Sequence, residues 1–373
     1  MRVVNSSTYR NFNASVNDVH NRLNKAMNKV ASGAAYETAA DNPLAYYEGK
    51  QLDNLYQDAK SQSTLLSTVK NRLYEQEKGA YSIQTTLRGA KSTMLFLADG
   101  THNADKDTVQ TKRDELLQRA QSIVTDLNNQ YGSYFVFGGN DLRTPPFSLS
   151  ADGSTLSFTH QYADGTEATM TMTLKYDAAS QGYHYDISDA DMDNILKAMK
   201  EQSRVDVGYG DISQRDTLVD TFTGGLNVLT GLSSDTLRAM TDADAKQAIR
   251  EGLDQSALGL ISAGVLGADA YVDGTMSYEQ FSKSMNQAVT DMAVAEHSIS
   301  RTYADLGNRQ SVLDTTETRL KALQDSLQTR YTEILGADPY ASIMEMFSYQ
   351  NSYAASLKVG AQMMRSSLFD FMA

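Results

Sequence analysis

The sequence predicts a mainly α protein: a long antiparallel helical rod, coiled-coil helices at both termini, and an inserted β-rich (α+β) domain. Three observations carry this. Apolar residues recur at steps of three and four through long stretches at both ends and on either side of the middle, which is heptad-type helical spacing. Between Ser133 and Ile187 the period changes to two, and Thr-, Tyr- and Phe-rich runs are separated by Gly-containing turns. The order of parts is palindromic: end helix, joint, long helix, insert, long helix, joint, end helix. The expected divisions are 1–43 with 337–373 as an axial assembly domain, 44–132 with 275–336 as the rod, and 133–274 as the insert.

The C-terminal stretch from Asp338 to Met372 organises the rest. Its seam reads Ile343, Met346, Gln350, Tyr353, Leu357, Gly360, Met364, Leu368 and Phe371. An isolated helix of this length is marginal in water. Burying the large members of the seam would contribute roughly 10–15 kcal/mol as an upper bound. The helix therefore needs a partner, either its own domain or another subunit. The N-terminal stretch mirrors it, with Tyr9, Phe12, Val16, Val19, Leu23, Ala26 and Val30 at the same spacing. The two could pair if the chain brings its ends together. Gly33 is the expected stop of the first helix, and Asn42–Pro43 the start of the next, with Asn as N-cap and Pro at the first helical position.

From Leu44 to Leu97 the seam continues through Leu52, Leu55, Ala59, Gln62, Leu66, Val69, Leu73, Gln76, Ala80, Ile83, Leu87, Ala90, Met94 and Leu97. A helix of that length spans about 80 Å. Gly100 and the stretch His102–Asp107 predict a turn. A third helix is expected from Asp107 to Tyr131, with Val109, Leu116, Ala120, Ile123 and Leu127 inward and Gly132 as its stop. In the insert, Leu156–Tyr162, Thr169–Tyr176 and Tyr183–Ile187 read as strands. Asp191–Glu201, Thr236–Leu253 and Ser256–Leu266 read as helices, and Arg204–Ile212 as a possible strand. Helix returns near Ser277 on a seam through Phe281, Met285, Met292, Ile299, Leu306, Leu313, Leu320, Leu327 and Ile334, and should run back along the earlier long helix. Gly336-Ala-Asp-Pro339 is the matching joint.

Composition narrows the function. The net charge of −13, with no basic cluster, argues against nucleic acid. The absence of cysteine removes disulfides, thiolate metal sites and cysteine nucleophiles. No stretch approaches the ~20 apolar residues of a membrane span, and the N-terminus has no apolar core of signal-peptide type. No nucleophile elbow, P-loop or zincin motif occurs. Asp189-x-Asp191-x-Asp193 opens like a calcium loop but has Asn194 and Lys200 where Gly and Glu are needed, and reads as a helix start. Gly208-Tyr-Gly210 lacks the third glycine of a dinucleotide loop. His20, His102, His160, His184 and His297 are scattered; His184 reads as an exposed strand residue. No catalytic residue, cofactor or metal is expected.

The segments Leu23-Asn-Lys-Ala-Met-Asn-Lys-Val-Ala-Ser-Gly33 and Ala39-Ala-Asp-Asn-Pro43 resemble the N-terminal region of flagellins. Tyr131-Gly-Ser-Tyr-Phe-Val-Phe-Gly-Gly139 followed by Thr144-Pro-Pro-Phe147, and Tyr353-Ala-Ala-Ser-Leu357 followed by Ser367-Leu-Phe-Asp-Phe371, resemble the hook-associated protein 3 family, the hook–filament junction branch of the flagellin-like proteins. Val136 stands where that family's motif has Phe. The resemblance covers about 1–147 and 275–373. It implies a structural subunit of the bacterial flagellum, exported without a cleaved signal peptide, extracellular, and assembled as a homo-oligomeric layer. The implied partners are the first hook-associated protein, flagellin, and an export chaperone at the C-terminal helix. The assembly residues it implies on the terminal seams are Tyr9, Phe12, Val16, Val19, Leu23, Val30, Ile343, Met346, Tyr353, Leu357, Met364, Leu368 and Phe371. A flagellin-type filament subunit, or an adhesin acting through the insert, are the alternatives.

Overall fold

The structure, a computed structural model, describes residues 2–36, 38–99, 105–139, 143–162, 164–201, 203–206 and 218–372. It describes the backbone alone for 2–6, 203–206, 218–222 and 363–372. The N-terminal part runs α1 (Arg2–Ser32), α2 (Pro43–Ala98) and α3 (Lys106–Leu127). Then come β1 (Gln130–Tyr131), β2 (Tyr134–Phe135), β3 (Phe147–Leu149), β4 (Thr155–Gln161), β5 (Glu167–Asp177) and β6 (Gly182–Asp186). The middle continues with α4 (Asp189–Lys200), β7 (Ser203–Asp206), β8 (Leu218–Phe222), α5 (Gly225–Thr230), α6 (Ser234–Ala239), α7 (Asp242–Asp254) and α8 (Ala257–Val272). The chain closes with α9 (Tyr278–Leu335) and α10 (Pro339–Met372). The protein is thus mainly α with an inserted antiparallel β region. No described helix is long and apolar enough to cross a membrane. Of the turn expected at Gly100 and His102–Asp107, residues 100–104 lie outside the described residues, while Asp105 caps α3 and Lys106 and Asp107 already belong to it; the Gly208–Ser213 segment also lies outside the described residues.

Contacts divide the chain into two compact units, Met1–Ser63 with Thr318–Ala373, and Thr64–Glu317. In the second unit α2 and α9 are antiparallel, because their ion pairs run in opposite residue order. Lys70 Nζ reaches Asp314 (2.5 Å) and Glu317 (3.2 Å), and Arg88 Nε reaches Glu296 at 2.6 Å. The seam of α2 is buried where it was expected to be, through Leu66, Leu73, Ile83, Leu87, Met94 and Leu97. Leu55, in the first unit, is exposed. Gln76 interrupts that seam for a reason. Its amide donates to the carbonyls of Val136 and of Thr223 (3.0 Å for the latter), and its Oε1 accepts from the Thr223 N–H at 3.4 Å. A buried polar side chain here satisfies backbone groups that apolar neighbours would strand.

One apolar core joins the helices to the insert. Leu87 and Met94 of α2, Leu116 and Ile123 of α3, Phe147, Leu156 and Met170 of the sheet, Ile261 of α8, and Phe281 and Met292 of α9 all belong to it. The segment 133–274 therefore has no separate core. Its sheet is antiparallel in the order β3-β4-β5-β6. Pairing Phe147 with Phe158, Phe158 with Met170 and Leu156 with Met172 puts the alternate apolar residues on the core face. On the other face Thr155–Thr173 and Thr159–Thr169 hydroxyls pair at 3.3 and 3.0 Å.

Three boundaries differ from the sequence expectation, each through a side-chain cap. Helix α3 ends at Leu127, not at Tyr131, because the Asn128 amide pairs with the backbone of Phe147: Nδ2 donates to the carbonyl at 2.7 Å and Oδ1 accepts the N–H at 3.0 Å. Residues 130–135 then form the β1–β2 hairpin. The helix expected over Thr236–Leu253 is two helices, since Thr241 caps α7 by accepting the Asp244 N–H and donating to its carboxylate at 2.7 Å. The cap of α4 is Ser188, which accepts the Asp191 N–H at 3.1 Å; Asp189 and Asp191 sit in its first turn, where carboxylates favour the helix dipole.

Candidate assembly surface

The first unit is built by repeating one local device at both ends. Gly33, at φ +68°, ends α1 in the left-handed conformation that a side chain would strain. Asn42 Oδ1 accepts the Ala45 N–H at 3.2 Å and Pro43 opens α2. At the other joint Asp338 Oδ1 accepts the N–H groups of Tyr340 (2.8 Å) and Ala341 (3.2 Å), and Pro339 opens α10. The joints pair with each other. Ala34 and Gly336 form an antiparallel bridge, Ala35 N–H donates to Leu335 at 2.6 Å, and Ala337 N–H donates to Gly33 at 2.8 Å. Close approach is required there, since a Cβ on Gly49 would lie 2.1 Å from Leu335 Cδ1.

The paired joints bring α1 and α10 together antiparallel. Lys29 Nζ meets Glu345 at 3.2 Å, His20 and Tyr353 rings lie 5.2 Å apart, and a Cβ on Gly360 would come within 2.7 Å of the Phe12 ring. Arg22 forms a hydrogen bond to Tyr349, which with Asp18 holds the guanidinium above its ordinary pKa. Asp41, which accepts the hydroxyl and N–H of Thr38 and then the Lys25 ammonium, is held below the usual carboxylate range.

On α1 the expected stripe is the one that faces α10. Phe12, Val16, Val19, Leu23 and Val30 are half-buried and Ala26 is buried, whereas Tyr9 is exposed. On α10 the expected seam separates into two. The residues turned toward α1 are Ser342, Met346, Tyr349, Tyr353, Ser356 and Gly360, all buried or half-buried. One residue further on, Ile343, Phe347, Gln350, Ala354, Leu357 and Ala361 form a second heptad track, all exposed. Ile343 exposes 39%, Phe347 51% and Leu357 50% of their surface. Met346 and Tyr353 thus lie at the α1 contact, and Ile343 and Leu357 lie on the outer face. The path drawn from sequence zigzags between these tracks, because 3-and-4 steps starting at adjacent residues interleave. Met364, Leu368 and Phe371 fall where α10 is described by its backbone alone. Phe347 escaped the sequence reading. Its signal was the doublets Ile343–Met344 and Met346–Phe347, since adjacent apolar residues in a helix point about 100° apart and mark a broader apolar face.

Among the described residues no group of three or more His, Asp and Glu side chains is placed to hold a metal. The acidic start of α4 is engaged in capping and in ion pairs, Asp193 with Lys246 and Asp189 with Arg250.

The long α9 and the two-tracked α10 define a class of protein with helical ends that pair and leave an apolar face outward. A family profile, the bacterial flagellin C-terminal helical region, matches residues 287–372, which takes in most of α9 and all of α10. No curated protein matches the chain in sequence. Among solved structures, a flagellar hook-associated protein from Vibrio parahaemolyticus is similar at a TM-score of 0.51 and 14% identity, over 79% of this chain and 100% of that one. At that identity the likeness is one of fold. The FlgL proteins of Bacillus cereus and Xanthomonas campestris align at TM-scores of 0.37 and 0.30, with 12% and 14% identity. They cover 78% and 74% of this chain, and 100% and 99% of their own.

Proposed function

We propose that this chain is a structural subunit of the bacterial flagellum at the junction between hook and filament, assembled through its terminal helices. The observation that carries the reading is the outer track of α10, Ile343–Phe347–Leu357, which the described part of the chain leaves uncovered and which lies inside the segment matched by the flagellin profile. An apolar track of this length on a helix already paired once is suited to a second helix from a neighbouring molecule. Head-to-tail contacts of that kind generate rings or helical stacks. The hook-associated fold neighbour favours the junction over the filament. On this reading the chain forms a homo-oligomeric layer between the first hook-associated protein and flagellin. It leaves the cell unfolded with no cleaved signal, and its C-terminal helix is the surface an export chaperone would shield. No catalysis is required.

The second reading is a flagellin-type subunit that polymerises without limit, which the flagellin profile over residues 287–372 supports less well than the junction reading. Titration of the purified protein separates the two. The junction reading expects short oligomers at all concentrations, and long self-seeded filaments would replace it with the filament reading. Removal of Met344–Ala373 should abolish incorporation while the helices of residues 64–317 stay folded by circular dichroism. Incorporation that survives this deletion defeats the terminal-helix mechanism.

A further inference from the structure

The hairpin of β5 and β6 and the end of α7 place a serine, a histidine and an aspartate in line. Ser180 Oγ lies 2.9 Å from His184 Nε2, and His184 Nδ1 lies 2.9 Å from Asp254 Oδ2. The second carboxylate oxygen of Asp254 accepts the Tyr185 N–H at 2.8 Å, so that carboxylate is fixed from two sides. It is also the last residue of α7, where a negative charge opposes the helix dipole and favours a donor partner. The turn is held as well: the Gln181 side chain accepts Lys283 Nζ at 2.6 Å, and Asp177 accepts the N–H groups of Ala179 and Ser180 at 3.1 and 3.0 Å. The order hydroxyl, imidazole, carboxylate is that of an activated nucleophile, recognised by geometry and not by fold.

The geometry points to Ser180 as a nucleophile toward small activated acyl donors, with His184 as its general base. Asp254 is a positioning residue: it takes the Nδ1 proton's hydrogen bond and leaves Nε2 free to accept. In the step, the Ser180 Oγ–acyl carbon bond forms and the Oγ proton passes to His184 Nε2. The bond from the acyl carbon to the leaving oxygen breaks, and the leaving group departs as an oxyanion. His184 then gives its proton to solvent. The His184 side chain is 48% exposed. The site therefore takes small donors that are already activated, and not substrates that need a deep pocket. Asp177 Oδ2 lies 2.8 Å from Ser180 Oγ and competes with the imidazole for the hydroxyl proton. It restrains the serine.

The test is acetylation of the full chain by p-nitrophenyl acetate, read by peptide mass mapping at Ser180 and by p-nitrophenolate release. The expected result is an acetyl group on Ser180, absent in Ser180→Ala. His184→Gln should slow its formation about 10²-fold, the usual contribution of a general base. Asp177→Asn keeps an oxygen for the turn and removes the competing carboxylate. It should speed labelling roughly fivefold, the equivalent of one hydrogen bond. A role confined to holding the turn gives no such acceleration. Acetyl groups found only on lysines, tyrosines or the N-terminus, or equal Ser180 labelling in wild type and His184→Gln, would overturn the proposal.

Discussion

Phe347→Asp separates the two tracks of α10. Phe347 exposes 51% of its surface in the chain as it folds alone. Complete burial of a phenylalanine contributes about 1.5–3 kcal/mol, so covering the open half at a subunit contact is worth about 1 kcal/mol. A carboxylate forced into the same apolar contact adds a desolvation cost of about 2 kcal/mol or more. The sum, roughly 3 kcal/mol, lowers the association constant about 10²-fold. The isolated chain should barely respond, because exposed substitutions usually stay within about 0.5 kcal/mol and Phe and Asp are similar helix formers. The control is Lys358→Ala, which removes a solvated charge from the same exposed side and should be nearly neutral. The assay pairs circular dichroism of the purified variants with their incorporation into flagella, scored by immunoelectron microscopy. Wild-type incorporation of a normally helical Phe347→Asp would refute the outer track as the contact. Tyr353→Ala should behave in the opposite sense, weakening α1–α10 pairing at His20 in the isolated chain, visible as faster amide exchange in α1.

Three further outcomes follow from the packing of the second unit. Gly225→Ala places a Cβ 2.4 Å from Phe147 Cε2 and 3.3 Å from Leu127 Cδ2. Overpacking there should cost about 1–3 kcal/mol, read as a lowered denaturation midpoint at unchanged slope. Tyr185→Phe should be neutral or stabilising, because the Tyr185 hydroxyl is buried with no hydrogen-bond partner among the described residues and burial pushes its pKa up. A clear destabilisation would show that the hydroxyl is satisfied. Glu115 accepts from Arg119, Lys112 and Thr93, and these partners, Arg119 first, bring its pKa down to about 2 from 4.5. Its folded pKa lies below the unfolded one. The stabilisation is therefore complete above pH 4.5 and is lost as pH falls toward 2. The stability gap between wild type and Glu115→Gln should close across that window in acid titrations followed by circular dichroism.

What the sequence made legible was local chemistry. Gly33, Asn42–Pro43 and Asp338–Pro339 declare their helix ends because the left-handed cap and the Asx-Pro start act within four residues of themselves. The strands β4, β5 and β6 were legible for a similar reason, as alternation and Asp-Gly turns need no distant partner. The end of α3 was not, because Asn128 stops the helix by pairing with Phe147, nineteen positions away, and the polar run Asn128-Asn129-Gln130 carries no mark of that partner. The Ser180–His184–Asp254 line was hidden in the same way, since Asp254 lies 70 positions from His184.

The tracks of α10 show the sharper limit. A 3-and-4 periodicity fixes that a helix has an apolar side, but a rotation of one residue, about 100°, moves the seam from Tyr353 to Ala354, and each track carries three large apolar or aromatic residues, Met346, Tyr349 and Tyr353 on one and Ile343, Phe347 and Leu357 on the other. Only the partner selects between them. Phe12 chose Gly360, because a bulky ring needs a position without a side chain opposite it. That choice set the phase of α10, turning Met346 and Tyr353 inward and leaving Ile343, Phe347 and Leu357 outside. The same glycine that lets the chain pair its own ends thus determines which apolar residues stay on the outer face of α10. Enlarging it, as in Gly360→Leu, should loosen the α1–α10 pairing and speed amide exchange in α1 of the isolated chain, which a substitution at Phe347 alone should not do.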